Sequence, residues 1–485
     1  MSTQNSTSED HITFNYKFHF YTTQKQFDVT FDKNTMSMIK EPKKNPPEWA
    51  KLDCNKCDNC PLSSDEHEYC PVALNLEEIV EFFGTDLPKD DVAITVCTPE
   101  RDYTKTVSLQ SASSSMVGMH MVTSGCPIMN RLRPMARYHL PFANTDETVY
   151  RSVGTYLISQ YFENLSGGIP DWDLKDLSTT YQDIETVNAC FHQRLISIGK
   201  SAPSAAAILT LDCFAYYMNL SLNGQHFYYI ENLFKEPTAI TQSSLLTEDN
   251  SVATSTSKIN YRFILEDKSE KSFAVNFDNN TLLHVDELSK EPAEWTKLEC
   301  NKCPNCPLDS KEHTHCPAAL SIERLIDFFK DTLSIQTASI KIDSPNRTFS
   351  KNAPLPTGIS SLMGLLMVTS GCPVIGKLRP MVHSHLPFST VEETTYRILS
   401  MYLLKQYFNQ KNDKPTDWDL KELPAIFDDI NTVNKTFIKR LHEQNIEDAS
   451  LNAIVKLDCF ASSFKFSLES NFIENLKTLF DTQKS

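Results

Sequence analysis

The chain has 485 residues, enough for roughly two to four domains. Hydrophobic residues make up 40% of it, so each half can bury a core and wholesale disorder is excluded. The net charge is −16 and no block of Lys and Arg occurs, which argues against nucleic acid and anionic lipid as partners, because both need clustered cations.

The first ten residues are polar and lack the basic and apolar regions of a signal peptide. No apolar run approaches the roughly eighteen residues of a membrane span. These features predict a cytoplasmic protein. Thiols stay reduced there, so clustered cysteines read as metal ligands or redox groups.

In chain order, Phe14, Tyr16, Phe18 and Phe20 alternate with polar residues, and Phe27, Val29 and Phe31 follow a polar turn. That period predicts a hairpin with one buried face. A Pro-rich stretch, Glu41 to Trp49, leads into Cys54-Asn-Lys-Cys57-Asp-Asn-Cys60-Pro61, closed by Cys70-Pro71. Leu76, Ile79, Val80 and Phe83 then predict a helix, with Asn75 as N-cap and Glu78 completing a capping box. Ser321 is read as the equivalent cap in the second half.

Two strands are predicted near residues 92–96 and 103–107. The apolar run Met116 to Val122 predicts a helix buried on most sides, ended by Thr123-Ser124-Gly125-Cys126-Pro127. Leu132-Arg133-Pro134-Met135 and His139-Leu140-Pro141-Phe142 follow. The remainder reads as helical. Tyr150, Val153, Leu157 and Tyr161 form one stripe after an Asn144…Glu147 capping box, and Ile184, Val187, Phe191 and Leu195 form another. An Ala-rich segment spans Ser201 to Met218.

All of this is written twice. Phe27, Trp49, Cys54, Cys126, His139, Trp172 and Cys213 recur as Phe273, Trp295, Cys300, Cys372, His385, Trp418 and Cys459, at one constant offset. The period is far too long for a solenoid repeat. We therefore expect an α+β protein of two tandem homologous domains, residues 11–235 and 258–485, joined by a Ser/Thr-rich linker over 236–257. Each domain should hold a small antiparallel sheet, a cysteine loop and a larger helical part.

The cysteine spacing carries the chemistry. C-x2-C-x2-C delivers three sulfurs from one short loop, and Cys70 returns a fourth. Soft thiolates select zinc or an iron–sulfur cluster. The alternative, cysteines as small hydrophobes, fails because the intervening residues are polar. Cys54, Cys57, Cys60 and Cys70 would suffice as ligands, as would three of them with Cys126. The second copy offers Cys300, Cys303, Cys306, Cys316 and Cys372. His67 and His313 are further candidates. The polar loop favours structural Zn2+, one site per domain, over [4Fe–4S]. Such a protein would act as a binding or assembly module for a protein partner or through self-association.

A third reading is a thiol enzyme built on Cys126 and Cys372, with His139 and His385 as bases and Arg133 and Arg379 as anion binders. Its bland counterpart is a small buried residue at a helix corner. Asn188 reads as a structural group bonded to backbone or to Asp212, and His120, which becomes Leu366, as core. Cys97 and Cys190 lack counterparts and read as incidental. Walker, dinucleotide, nucleophile-elbow and HExxH patterns are missing, so no enzyme class is indicated.

In combination, Cys303-Pro-Asn-Cys306-Pro-Leu308, Thr-Ser-Gly-Cys-Pro and Leu-Arg-Pro-Met…His-Leu-Pro-Phe resemble an uncharacterised family of bacterial cytosolic proteins, a domain of unknown function. The resemblance covers nearly all of both copies and brings no activity. In the relatives the position of Cys54 is not always cysteine. The resemblance therefore implies Cys57, Cys60, Cys70 and Cys126 as the ligand set.

Overall fold

A computed structural model describes residues 10–21, 23–41, 43–83, 91–199, 202–223, 227–235, 256–330, 332–444, 449–469 and 471–481. Most of the linker expected over 236–257 lies outside the described residues.

The first copy opens on the expected hairpin. β1 (His11–His19) pairs antiparallel with β2 (Gln24–Asp32), with Tyr16 opposite Phe27. Ile12, Phe14, Tyr16 and Phe18 are buried along one face, as the period of two demands. After α1 (Pro71–Phe83), β3 (Val92–Cys97) pairs with the free side of β1, and β4 (Asp102–Val107) pairs with β3. The strand order is β2-β1-β3-β4, antiparallel throughout.

Helices complete the copy: α2 (Leu109–Val122), α3 (Arg133–Arg137), α4 (Thr145–Leu165), α5 (Lys175–Ser197), α6 (Ala202–Asn223) and α7 (Phe227–Asn232). α2 is buried on nearly every side. It ends at Thr123, and Gly125 takes a φ of 89° that a side chain would resist. The capping box at Asn144 and Glu147 forms as expected.

The second copy repeats the plan. β5 (Thr256–Leu265), β6 (Glu270–Asp278), β7 (Thr337–Asp343) and β8 (Thr348–Pro354) form an antiparallel sheet in the order β6-β5-β7-β8. α8 (Pro317–Phe329), α9 (Leu355–Val368), α10 (Val391–Lys411), α11 (Leu423–Glu443), α12 (Ala449–Glu469) and α13 (Asn471–Asp481) follow. Among the described residues no helix is long and apolar enough to cross a membrane.

Two details differ from expectation. α1 and α8 start a full turn early, at Pro71 and Pro317, so Asn75 and Ser321 are not caps. The proline ring presets the first helical φ and its missing N–H costs nothing there. Asn75 instead donates to the His120 carbonyl at 3.1 Å, and Ser321 to Ala318 at 2.8 Å.

The compact units also cut across the sequence copies. Residues up to 223 form one unit together with α13, and residues 227–469, including α7, form the other. Within the first unit Phe480 of α13 packs on Phe162 of α4, with ring centroids 5.5 Å apart. Within the second, Phe234 packs on Phe408 of α10 at 5.6 Å. These are equivalent pairs, so each unit takes its last helix from the other copy.

Candidate metal centre

The cysteine loop is closed at its base by backbone pairing. Leu52 N donates to Glu68 O at 2.9 Å and Cys70 N to Ala50 O at 2.8 Å. The second loop repeats both bonds at Leu298 and Cys316. Lys56 and Lys302 bridge their loops by donating to Leu62 O and Leu308 O, each at 2.6 Å. Asn55 and Asn301 adopt φ of 49° and 50°, left-handed positions that asparagine tolerates.

α5 grips this loop from beneath. Arg194, 1% exposed, donates to Trp49 O at 2.8 Å, Lys51 O at 2.7 Å and Leu52 O at 3.2 Å. Arg440 of α11 does the same for Trp295 O and Lys297 O, at 2.8 and 3.0 Å. Asn59 and Asn305 donate to Asp183 O and Asp429 O, each at 3.0 Å. Neither arginine was singled out from the sequence. Their identical offset inside an otherwise apolar stripe was the available signal.

The loop turns its charged residues outward, while its cysteines are buried or half-buried. Asp65, Glu66, His67 and Glu68 are exposed, while Cys70, Cys303, Cys316 and Cys372 are buried. His67 and His313 thus face solvent. In the first unit, burial raises the Cys57 thiol above the ordinary range, and the neighbouring Cys190, Cys70, Cys126 and Cys60 raise it further. Burial also raises Cys126, with Cys70 and Cys60 adding to it, while the amides of Met129 and Ile128 oppose the shift.

The second unit matches. Cys303 is pushed up to about 12, first by burial and then by Cys316 and Cys372, with Cys306 also contributing and the Thr436 hydroxyl opposing. Cys372 is raised by burial, against the amides of Ile375 and Val374. Cys316 caps α8. Its side chain makes no cap hydrogen bond, and burial raises its thiol against the Ala319 and Ala318 amides and Arg440, which favour the thiolate.

Cys57 thus has Cys60, Cys70 and Cys126 as electrostatic neighbours, and Cys303 has Cys306, Cys316 and Cys372. Cys54 and Cys300 are not among the dominant neighbours of these thiols. Among the described residues, no three His, Cys, Asp or Glu side chains stand close enough to hold one metal ion. Cys190, read as incidental, instead neighbours Cys57.

The Cys–His pairing does not form. His139 Nε2 lies 3.0 Å from Ser115 Oγ and 3.3 Å from Tyr16 OH. His385 Nε2 lies 2.7 Å from Tyr261 OH, and burial pushes its pKa down to about 3. For Cys126 burial outweighs the Met129 and Ile128 amides, the reverse of an activated thiol. Arg133 and Arg379 donate to backbone carbonyls of Thr35 and Lys235, as clamps rather than anion binders. Asn188 Oδ1 and Asp212 Oδ1 are buried without hydrogen-bond partners, so the expected role for Asn188 is not met through that atom. His120 is buried as expected and bonds Met116 O at 2.8 Å.

The fold defines a duplicated α+β protein with one cluster of buried and half-buried cysteines in each unit. The chain belongs to the family described as domain of unknown function DUF6901, whose model matches residues 12–234 and 259–481. No curated protein and no solved structure matches the chain.

Proposed function

We propose that each unit is a thiolate metal centre, ligated by Cys57, Cys60, Cys70 and Cys126 in the first and by Cys303, Cys306, Cys316 and Cys372 in the second. One observation supports this: Cys57 has Cys60, Cys70 and Cys126 as electrostatic neighbours, drawn from a loop, a helix start and the turn after α2, and Cys303 has Cys306, Cys316 and Cys372 from the same places. Burial and mutual repulsion make four thiolates untenable by themselves. A bound cation relieves both, so binding would release protons. Thiolate quartets leave such a centre negative, which Arg440 and the helix-start amides can meet.

Zinc is the first reading, since four protein thiolates complete its tetrahedral shell and leave no open position. The polar, exposed residues around the sulfurs support it, because electron-transfer clusters sit in drier surroundings. A [4Fe–4S] cluster, which takes one thiolate per iron, is the second reading. Either centre would pin the loop and serve a cytoplasmic binding or assembly module, engaging a protein partner or a second copy of itself through two similar units.

Anaerobic purification with elemental analysis tests this. Colourless protein containing zinc is expected. Brown protein containing iron and sulfide in equal amounts selects the second reading. Protein that takes up neither, even when reconstituted, overturns both.

A further inference from the structure

One stripe of α5 runs along the cysteine loop. Asp183, Val187, Cys190, Arg194 and Ser197 follow at helical spacing. Three of them are tied to the loop: Asp183 to Asn59, Arg194 to the carbonyls of Trp49, Lys51 and Leu52, and Ser197 to Asn55 Nδ2 at 2.9 Å. Cys190 lies in the stripe between Asp183 and Arg194. It therefore faces the loop between Asn59 and Asn55, where Cys57 stands. Cys190 also lines a cavity of about 240 Å³ with His192, Gln193 and Asp212.

α11 lays down the same stripe. Asp429 meets Asn305, Arg440 grips the carbonyls of Trp295 and Lys297, and Glu443 accepts from Asn301 at 2.6 Å. The place of Cys190 is taken by Thr436, which faces Cys303. The two loops carry the same cysteines, and only the first has a further cysteine in the stripe beneath it.

We infer that Cys190 is a redox partner of Cys57, and that oxidation joins the two in a disulfide that disables the first centre while the second is spared. The consequence for metal rests on the metal-centre reading; the disulfide itself does not. The oxidant is a hydroperoxide admitted through the cavity. The Cys190 sulfur attacks the peroxide O–O bond and becomes a sulfenic acid, releasing water from hydrogen peroxide. The Cys57 sulfur then displaces that hydroxyl, which leaves as a second water with the Cys57 proton, and the S–S bond forms. Two electrons pass from two thiols to one peroxide. Thr436 offers no sulfur, so Cys303 stays reduced.

The test uses the full-length chain, stripped of metal by a chelator under reducing conditions. Hydrogen peroxide, alkylation and peptide mapping should reveal a Cys57–Cys190 link and no link at Cys303. Zinc ion re-added afterwards should bind about twofold less than to unoxidised protein, because one of two equivalent centres is lost. Cys190→Thr should restore full zinc uptake after peroxide. Should that variant misfold, Thr436→Cys serves instead, and peroxide should then also link Cys303 to position 436. The inference is overturned if Cys190 stays alkylatable after peroxide, or if Cys57 pairs only within its own quartet. Failure of zinc to bind even the unoxidised chain would sink the zinc reading of the centre, while the peptide map would still decide this one.

Discussion

The Arg194 guanidinium donates to the Lys51 carbonyl oxygen at 2.7 Å, beneath the first cysteine loop. It holds further carbonyls of the same loop with the planar fork that only arginine presents. A polar loop has few apolar anchors, so these bonds set where its sulfurs stand. Arg194→Ala would leave several buried carbonyls unpaired, at roughly 1–3 kcal/mol each, and should destabilise the first unit by about 3 kcal/mol or more. Urea unfolding would measure it. Arg194→Lys should recover little, since an ammonium cannot span the same acceptors.

Cysteine substitutions should separate ligands from bystanders. Cys126→Ser is expected to remove about half of the bound metal, because one of two equivalent centres is lost. Cys54→Ser should leave the content unchanged. Elemental analysis of the two variants beside the parent chain decides between them. Equal loss in both would restore Cys54 to the ligand set.

The raised thiols give the metal-free protein a definite pH response. Cys303 is pushed up to about 12 from an ordinary value of 9.0. Above pH 9.0 the unfolded chain loses this proton and the folded chain keeps it, so unfolding is favoured. Stability should fall as pH rises from 9.0 toward about 12, and hold level below that window. A chelator-treated sample should show its urea midpoint declining with pH, and Cys303→Ser should flatten the decline. A midpoint that climbs with pH would contradict the assignment.

The crossed helices make stability in one unit depend on the far end of the chain. Phe480 is 5% exposed and packs on Phe162. Phe480→Ala should cost about 3 kcal/mol, within the range of roughly 3–5 kcal/mol for buried Phe truncations. Hydrogen exchange should show the loss in α4 of the first unit rather than in α10 of the second. The reverse pattern would mean that each copy keeps its own last helix.

Much of the architecture was legible because it follows from local rules. Phe14, Tyr16 and Phe18 alternate because a strand does, and Asn144 and Glu147 close a capping box within one turn. The caps at Asn75 and Ser321 were misplaced because Cys-Pro begins a helix without any side-chain oxygen to announce it. A role for His139 as base to Cys126 had no sequence signal to place the two side chains together, and the hydroxyls of Tyr16 and Ser115 hold its ring.

By itself the amino-acid order determined that the protein is duplicated, that each half mixes a small sheet with helices, and that its thiols cluster in a polar loop. Those are properties of period, spacing and repetition, which need no third dimension. Only tertiary structure decided that Arg194 and Arg440 anchor the loops, that Cys190 borders Cys57, and that each unit borrows the other copy's last helix. Contacts between residues far apart in sequence depend on how buried surfaces pack, and no local pattern encodes that.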